Sequence, residues 1–156
     1  MTELAAPACT IAYAGLADSV GARFGPTPWT TVTQPQVDAF ADVTHDHQWI
    51  HVDEQRASAG PFGTTIAHGY LTLSLVPFFL GQLLEVTDIS MAVNYGLEKV
   101  RFPAPVPVGA SLQAAAEIVG VQARVRSTQV TVRVTVRVDA VERPVCVADA
   151  VILFVG

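Results

Sequence analysis

IAHGYLTLSLVPFFLGQLL, residues 66–84, carries no formal charge unless His68 is protonated. Its length approaches that of a membrane span. His68, Gly69, Pro77, Gly81 and Gln82 interrupt it, however, and the chain holds only one such stretch. A segment that is apolar on every side and does not cross a bilayer has to be enclosed by protein. The spacing therefore predicts a long helix, starting near Ala67 and buried at the centre of the molecule.

What encloses the helix is written downstream. Val130, Val132, Val134, Val136 and Val138 alternate with Thr131, Arg133, Thr135, Arg137 and Asp139. That is the period of two of a strand with one dry and one wet face. Residues 111–119 and 145–154 (VCVADAVILF) read as further strands. So does 91–102 (MAVNYGLEKVRF), which is ended by Pro103, Pro105 and Pro107. Strands that follow strands pair antiparallel. The expected class is α+β, one greasy helix wrapped by a curved antiparallel sheet, in a single domain over residues 1–156. Upstream, Thr33-Gln-Pro-Gln36 has the form of a capping box, and Val37, Phe40, Ala41 and Thr44 recur at helical spacing. Asp53 can cap a short helix over 54–59, which Gly60-Pro61 stops.

Composition narrows the function classes. Of 156 residues, 51% are apolar and 15% charged, which points to a surface partly covered by a partner such as a second copy of the chain. A net charge of −5 argues against nucleic acid. Lys99 is the only lysine, so there is no polybasic membrane anchor. Cys9 and Cys146 lie far apart and form no metal-type C-x-x-C pair, which reads as two reduced thiols in a cytoplasmic protein. The N-terminal residues have no basic region of the signal-peptide kind.

The chemistry concentrates in THDHQWIH, residues 44–51, with three of the four histidines. Three readings are open. His45 and His47, joined by His51 and Asp46, could face one metal ion. They could be solvated turn histidines. Or Asp46 and His51, five apart, could converge if the chain turns at His47-Gln48 while Trp49 and Ile50 anchor it in the core. A carboxylate beside an imidazole then moves protons near neutral pH. Early helical N–H groups lack intrahelical acceptors. The Gly69 amide is thus a candidate donor to a developing oxyanion, while glycine also serves close packing. His68 reads as a supporting or packing residue rather than a catalyst.

Together these residues resemble the MaoC-like dehydratases and (R)-specific enoyl-CoA hydratases of the hotdog fold, nodulation-protein-N-like branch. Asp46-His-Gln-Trp-Ile-His51-Val-Asp53, Pro61-Phe-Gly63 and Ile66-Ala-His-Gly69 carry the resemblance, with Asn94-Tyr-Gly96, Lys99-Val-Arg-Phe-Pro-Ala-Pro-Val106 and Gly109. It departs from the family at His45, where glycine is usual, and at Gln48-Trp49, where Asn-Pro is commoner. A bulky residue at 45 would alter how Asp46 is presented or narrow the substrate entrance.

The resemblance implies that Asp46 and His51 hold one water, which adds to C3 of a trans-2-enoyl thioester, and that the Gly69 N–H steadies the thioester oxygen. It implies no metal and no redox cofactor. The acyl group would ride on coenzyme A or an acyl-carrier protein, with Lys99, Arg101 and the Arg124/Arg126 pair as candidate phosphate contacts. Tyr70, Phe78 and Phe79 are candidate walls of an acyl tunnel, and the assembly implied is a homodimer. Two competing readings are a hotdog thioesterase and a non-catalytic acyl-thioester binder. The first is disfavoured because the helix has no carboxylate before Glu85.

Overall fold

The computed structural model describes residues 7–139 and 141–156; residues 1–6, on which the no-leader expectation partly rests, lie outside the described set. The described chain opens with strand β1 (Cys9–Ala12), a 3₁₀ helix (Tyr13–Asp18) and the short strands β2 (Arg23–Phe24) and β3 (Thr30–Thr31). Helix α1 (Gln34–Thr44) follows, then α2 (Trp49–Val52) and α3 (Glu54–Ser58). Helices α4 (Gly69–Ser74) and α5 (Val76–Leu83) lead into β4 (Leu84–Thr87), β5 (Met91–Arg101), β6 (Ser111–Ala123), β7 (Thr128–Val138) and β8 (Cys146–Val155).

The capping box at Thr33 and Gln36 forms, with the Thr33 N–H donating to Gln36 Oε1 at 2.9 Å. Asp53 caps α3 through Oδ1, which accepts from the Arg56 N–H at 2.9 Å. One expectation needs correction: the greasy helix is two segments, not one. Pro77 has no N–H to donate and its ring crowds the preceding turn, so the helix resets at Leu75, where α5 begins with proline in its first turn.

The main sheet runs in the order β2-β6-β7-β8-β5, antiparallel at every step, with β3 also paired to β6. A separate parallel pair joins β1 to β4. Val130, Val132, Val134 and Val136 are fully buried and share one core with Phe79, Leu80 and Leu83 of α5 and Leu112 and Ile118 of β6. Burying each such side chain contributes about 1.5–3 kcal/mol. This is the expected hotdog arrangement, a helix held in the palm of a curved sheet.

The enclosure is incomplete on one side. β5 is the sheet edge, and Met91, Val93, Tyr95 and Leu97 stand exposed along it, as do Tyr70 and Phe78 on the helices. On the sheet's outer face the register sets Arg23 opposite Glu117, Glu117 opposite Arg133, Arg133 opposite Asp149 and Asp149 opposite Lys99. Charges thus alternate in a row across five strands, and the Arg133 guanidinium donates to both Asp149 oxygens at 2.7 and 2.9 Å. Among the described residues, no helix is long and apolar enough to cross a membrane.

Candidate active site

α1 ends at His45, whose φ of 60° and ψ of 21° put it in the left-handed region. Glycine takes that conformation freely and other residues at a cost of roughly 1–2 kcal/mol. His45 therefore holds, at a cost in strain, a conformation that glycine would take freely. The chain then reverses through Asp46, His47 and Gln48 before α2 begins at Trp49. His51, on α2, is buried, while the Asp46 side chain keeps about half its surface open.

The segment that opens α4 grips this turn. Ile66 donates its N–H to the Ile50 carbonyl at 2.9 Å, and its own carbonyl accepts from His51 Nδ1 at 2.7 Å. That bond fixes the hydrogen of a neutral His51 on Nδ1 and leaves the Nε2 lone pair available. Two residues on, His68 is 2% exposed and stacks on His51, with ring centroids 3.8 Å apart and planes at 26°. His68 Nε2 donates to the Asp46 main-chain oxygen at 2.9 Å and lies 4.0 Å from its Oδ2. Ligand-type atoms of Asp46, His51 and His68 all fall within 4.8 Å of one another.

Asp46 and His51 therefore converge as the spacing predicts. Two further residues join them: His68, read from the sequence as supporting or packing, touches both, and Gln34 was not singled out in the sequence. Gln34, the first residue of α1, donates to the His51 carbonyl at 2.8 Å and accepts from the Thr65 hydroxyl at 2.6 Å. The signal for His68 was available: a polar ring in an apolar helix needs a partner. His47, one of the histidines of the metal alternative, turns away to pair with Asp42 at 2.8 Å. A metal at the Asp46–His51–His68 cluster fits poorly, since the His68 nitrogen nearest the carboxylate uses its hydrogen on a carbonyl.

Burial is the largest influence on His51 and pushes its pKa below the usual imidazole value. The bond from Nδ1 to Ile66 and the Asp46 carboxylate pull it up, and His68 pushes it down. His51 and Gly69 line one cavity of about 330 Å³, walled by Phe62, Phe102 and the Pro103–Val106 segment. Gly69 is packed as well as placed: a Cβ there would lie 2.9 Å from the Phe102 ring.

The other candidates fall outside that cavity. Tyr70 is largely exposed and meets Phe102 edge-on at 6.1 Å, and Phe79 is core. Phe78 packs beside Phe79 with one side exposed. Lys99 belongs to the outer charge row, and Arg101 folds back onto the Val100 carbonyl. Arg124 is tied to Gln129 beside the β6–β7 turn, where Arg126 also lies.

A family profile described as "MaoC like domain" matches residues 16–140. The chain belongs to the MaoC-like family. It is 51% identical over 144 residues to 3-hydroxyacyl-thioester dehydratase Z of Mycobacterium tuberculosis strain H37Rv, covering 92% of this chain and 95% of that one. It is 39% identical over 142 residues to nodulation protein N of Rhizobium leguminosarum bv. viciae, covering 89% and 88%. Among solved structures, a monoamine oxidase regulatory protein from Archaeoglobus fulgidus superposes with a TM-score of 0.76 at 27% identity, covering 96% of this MaoC-like chain and 97% of the other.

Proposed function

We propose that this MaoC-like chain catalyses the reversible hydration of trans-2-enoyl thioesters to (R)-3-hydroxyacyl thioesters. It is then a hydro-lyase, a 3-hydroxyacyl-thioester dehydratase in the reverse direction. One observation carries the reading: the Asp46 carboxylate and a ring nitrogen of His51 lie within 4.8 Å of each other, on a ring whose Nδ1 is held by the Ile66 carbonyl and which shares a cavity with Gly69.

Water sits between the two groups. His51 Nε2 takes one proton as the oxygen bonds to C3, and the Asp46 carboxylate accepts a hydrogen bond from the other hydrogen. The C2–C3 π electrons move to C2 and the thioester oxygen, where the Gly69 N–H donates to the developing enolate. A well-aimed donor of this kind is worth about 3–4 kcal/mol. The proton on His51 then returns to C2 on the same face, so atoms and charge balance with water as the only co-reactant. The chemistry asks for no metal or redox group.

The acyl group is carried on coenzyme A, with a carrier-protein arm as the competing carrier. Lys99 and Arg101, on β5 just before the Phe102 wall, are the candidate phosphate contacts; both lie outside the cavity and would meet the carrier at its rim. The exposed apolar edge of β5, with Tyr70 and Phe78, supports pairing with a second copy of the chain, edge to edge. Cys146 is buried and unpaired, its thiol pushed up to about 11, and Cys9 is also free, which supports a reducing, cytoplasmic setting.

The test is the loss of conjugated-enoyl absorbance from crotonyl-CoA, with chiral analysis of the product and size measurement of the purified chain. Formation of the (R)-3-hydroxy product by a dimer supports the reading. Free-thiol release from a saturated acyl-CoA without hydration would assign a thioesterase instead.

A further inference from the structure

The hydration reading uses Asp46, His51 and Gly69 and leaves His68 without a task, although it is among the most buried polar side chains described. Its surroundings do not resemble those of a packing residue. The ring meets Phe40 at a tilt, centroid to centroid at 5.0 Å, and stacks on His51 at 3.8 Å. Nε2 reaches 22 residues back to the Asp46 carbonyl. Nδ1 is buried and meets no hydrogen-bond partner among the described residues. The ring therefore carries its hydrogen on Nε2, where the Asp46 carbonyl receives it.

Asp46 needs such a tether. It follows His45, which is held in the left-handed region, and its side chain is half open to solvent. His51 is anchored separately, through Nδ1 to Ile66 and through its carbonyl to Gln34. His68 touches both members of the pair at once.

We propose that His68 is a positioning residue for the hydration. Nε2 holds the Asp46 main chain and the flat of the ring holds His51, so that carboxylate and lone pair meet one water. This rests on the hydration reading of the same site. A second consequence concerns charge. The ionisable groups that bear on His51 are Asp46, from the turn after α1, and His68, from the segment before α4. His68 opposes a proton on His51, and Asp46 favours one.

Two replacements separate tether from ring. In His68→Gln the amide N–H₂ can reach the position of Nε2 and keep the bond to Asp46, but the stacked ring is lost. In His68→Phe the ring stays and the donor is lost. Misplacing a reacting group by about 1 Å can cost on the order of 100-fold in rate. The expected result is therefore a loss of roughly that size in kcat for His68→Phe, with KM for crotonyl-CoA little changed, and recovery of most of kcat in His68→Gln.

In both variants the His51 titration, followed by NMR of the imidazole, should move to higher pH. Wild-type kcat in His68→Phe, together with an unmoved His51 titration, would overturn the proposal and leave the hydratase reading standing. A loss of kcat in His68→Gln equal to that in His68→Phe would overturn the tether. Should the wild-type chain hydrate no enoyl thioester, the parent reading fails, and the NMR titration alone still decides whether His68 governs His51.

Discussion

Arg133–Asp149 and His51–His68 are both close polar pairs, and they are completed to different degrees. On the outer face of the sheet the guanidinium meets both oxygens of Asp149, and that pair sits within a row of alternating charges. At the mouth of the helix each imidazole uses one nitrogen and leaves the other unanswered: Nε2 of His51, and Nδ1 of His68, which is buried without a partner. A pair whose two partners answer each other contributes to holding the sheet together. A pair with open positions gives up stability and gains a place for a reactant.

Removing the reacting groups at the open pair, the His51 ring and the Asp46 carboxylate beside it, has the largest expected effect. Asp46→Asn and His51→Ala should each lower the hydration rate by about 10²–10⁴-fold, with thermal unfolding little changed in Asp46→Asn, whose side chain is half open, and lowered in His51→Ala, whose ring is buried and hydrogen-bonded. Gly69→Ala comes next. Its new Cβ meets Phe102 at 2.9 Å, so stability should fall by about 1–3 kcal/mol and hydration should fall with it. Phe102→Ala in the same chain should restore part of the stability, measured by urea titration.

Breaking the closed pair should separate the two regions cleanly. Asp149→Ala lowers Tm by a few degrees and leaves kcat and KM for crotonyl-CoA at wild-type values. A loss of rate in this variant would mean that the two regions are coupled.

Acid sharpens the same contrast. Both folded-state pKa values are depressed, so in each case the unfolded chain binds more protons as pH falls, and stability declines with it. For Asp149 the bond from Arg133 is the largest cause. Its contribution is present above the unfolded carboxylate value near 4 and is lost as pH falls through the folded value. For His51, where burial leads, the loss begins at the unfolded imidazole value near 6.5. Unfolding free energy measured between pH 7 and 5 should decline less in His51→Gln than in wild type. The acid limb of kcat/KM should lie below 6.5.

The smallest effect is expected at His45. Glycine there removes the left-handed strain but adds freedom to the unfolded chain, so His45→Gly should shift stability by about 1 kcal/mol or less.

The difference between the two regions also marks what could be read from residues alone. The valine alternation of β7 and the uncharged run from Ile66 to Leu84 fixed the layers, because burial on one face leaves a period that neighbours cannot erase. The approach of Asp46 to His51 was legible because it spans five residues and one turn. The break at Leu75 was half legible: Pro77 was in view, but whether it kinks or ends a helix depends on packing. His68 was not legible as a bridge. Its partner is a main-chain oxygen 22 residues away, and carbonyls leave no mark in a sequence. The exposure of β5 was hidden for a related reason, since its residues read as a strand but its place at the sheet edge is set by the pairing of β8 with β7.

The most direct measurement is a double-mutant cycle on crotonyl-CoA hydration with Asp46→Asn, His51→Ala and the two combined. Two groups that hold one water fail as a unit, as acting partners do. The combined variant should therefore be scarcely slower than the slower single. Losses that multiply, or full rate in either single variant, would show that the carboxylate and the imidazole do not share a water.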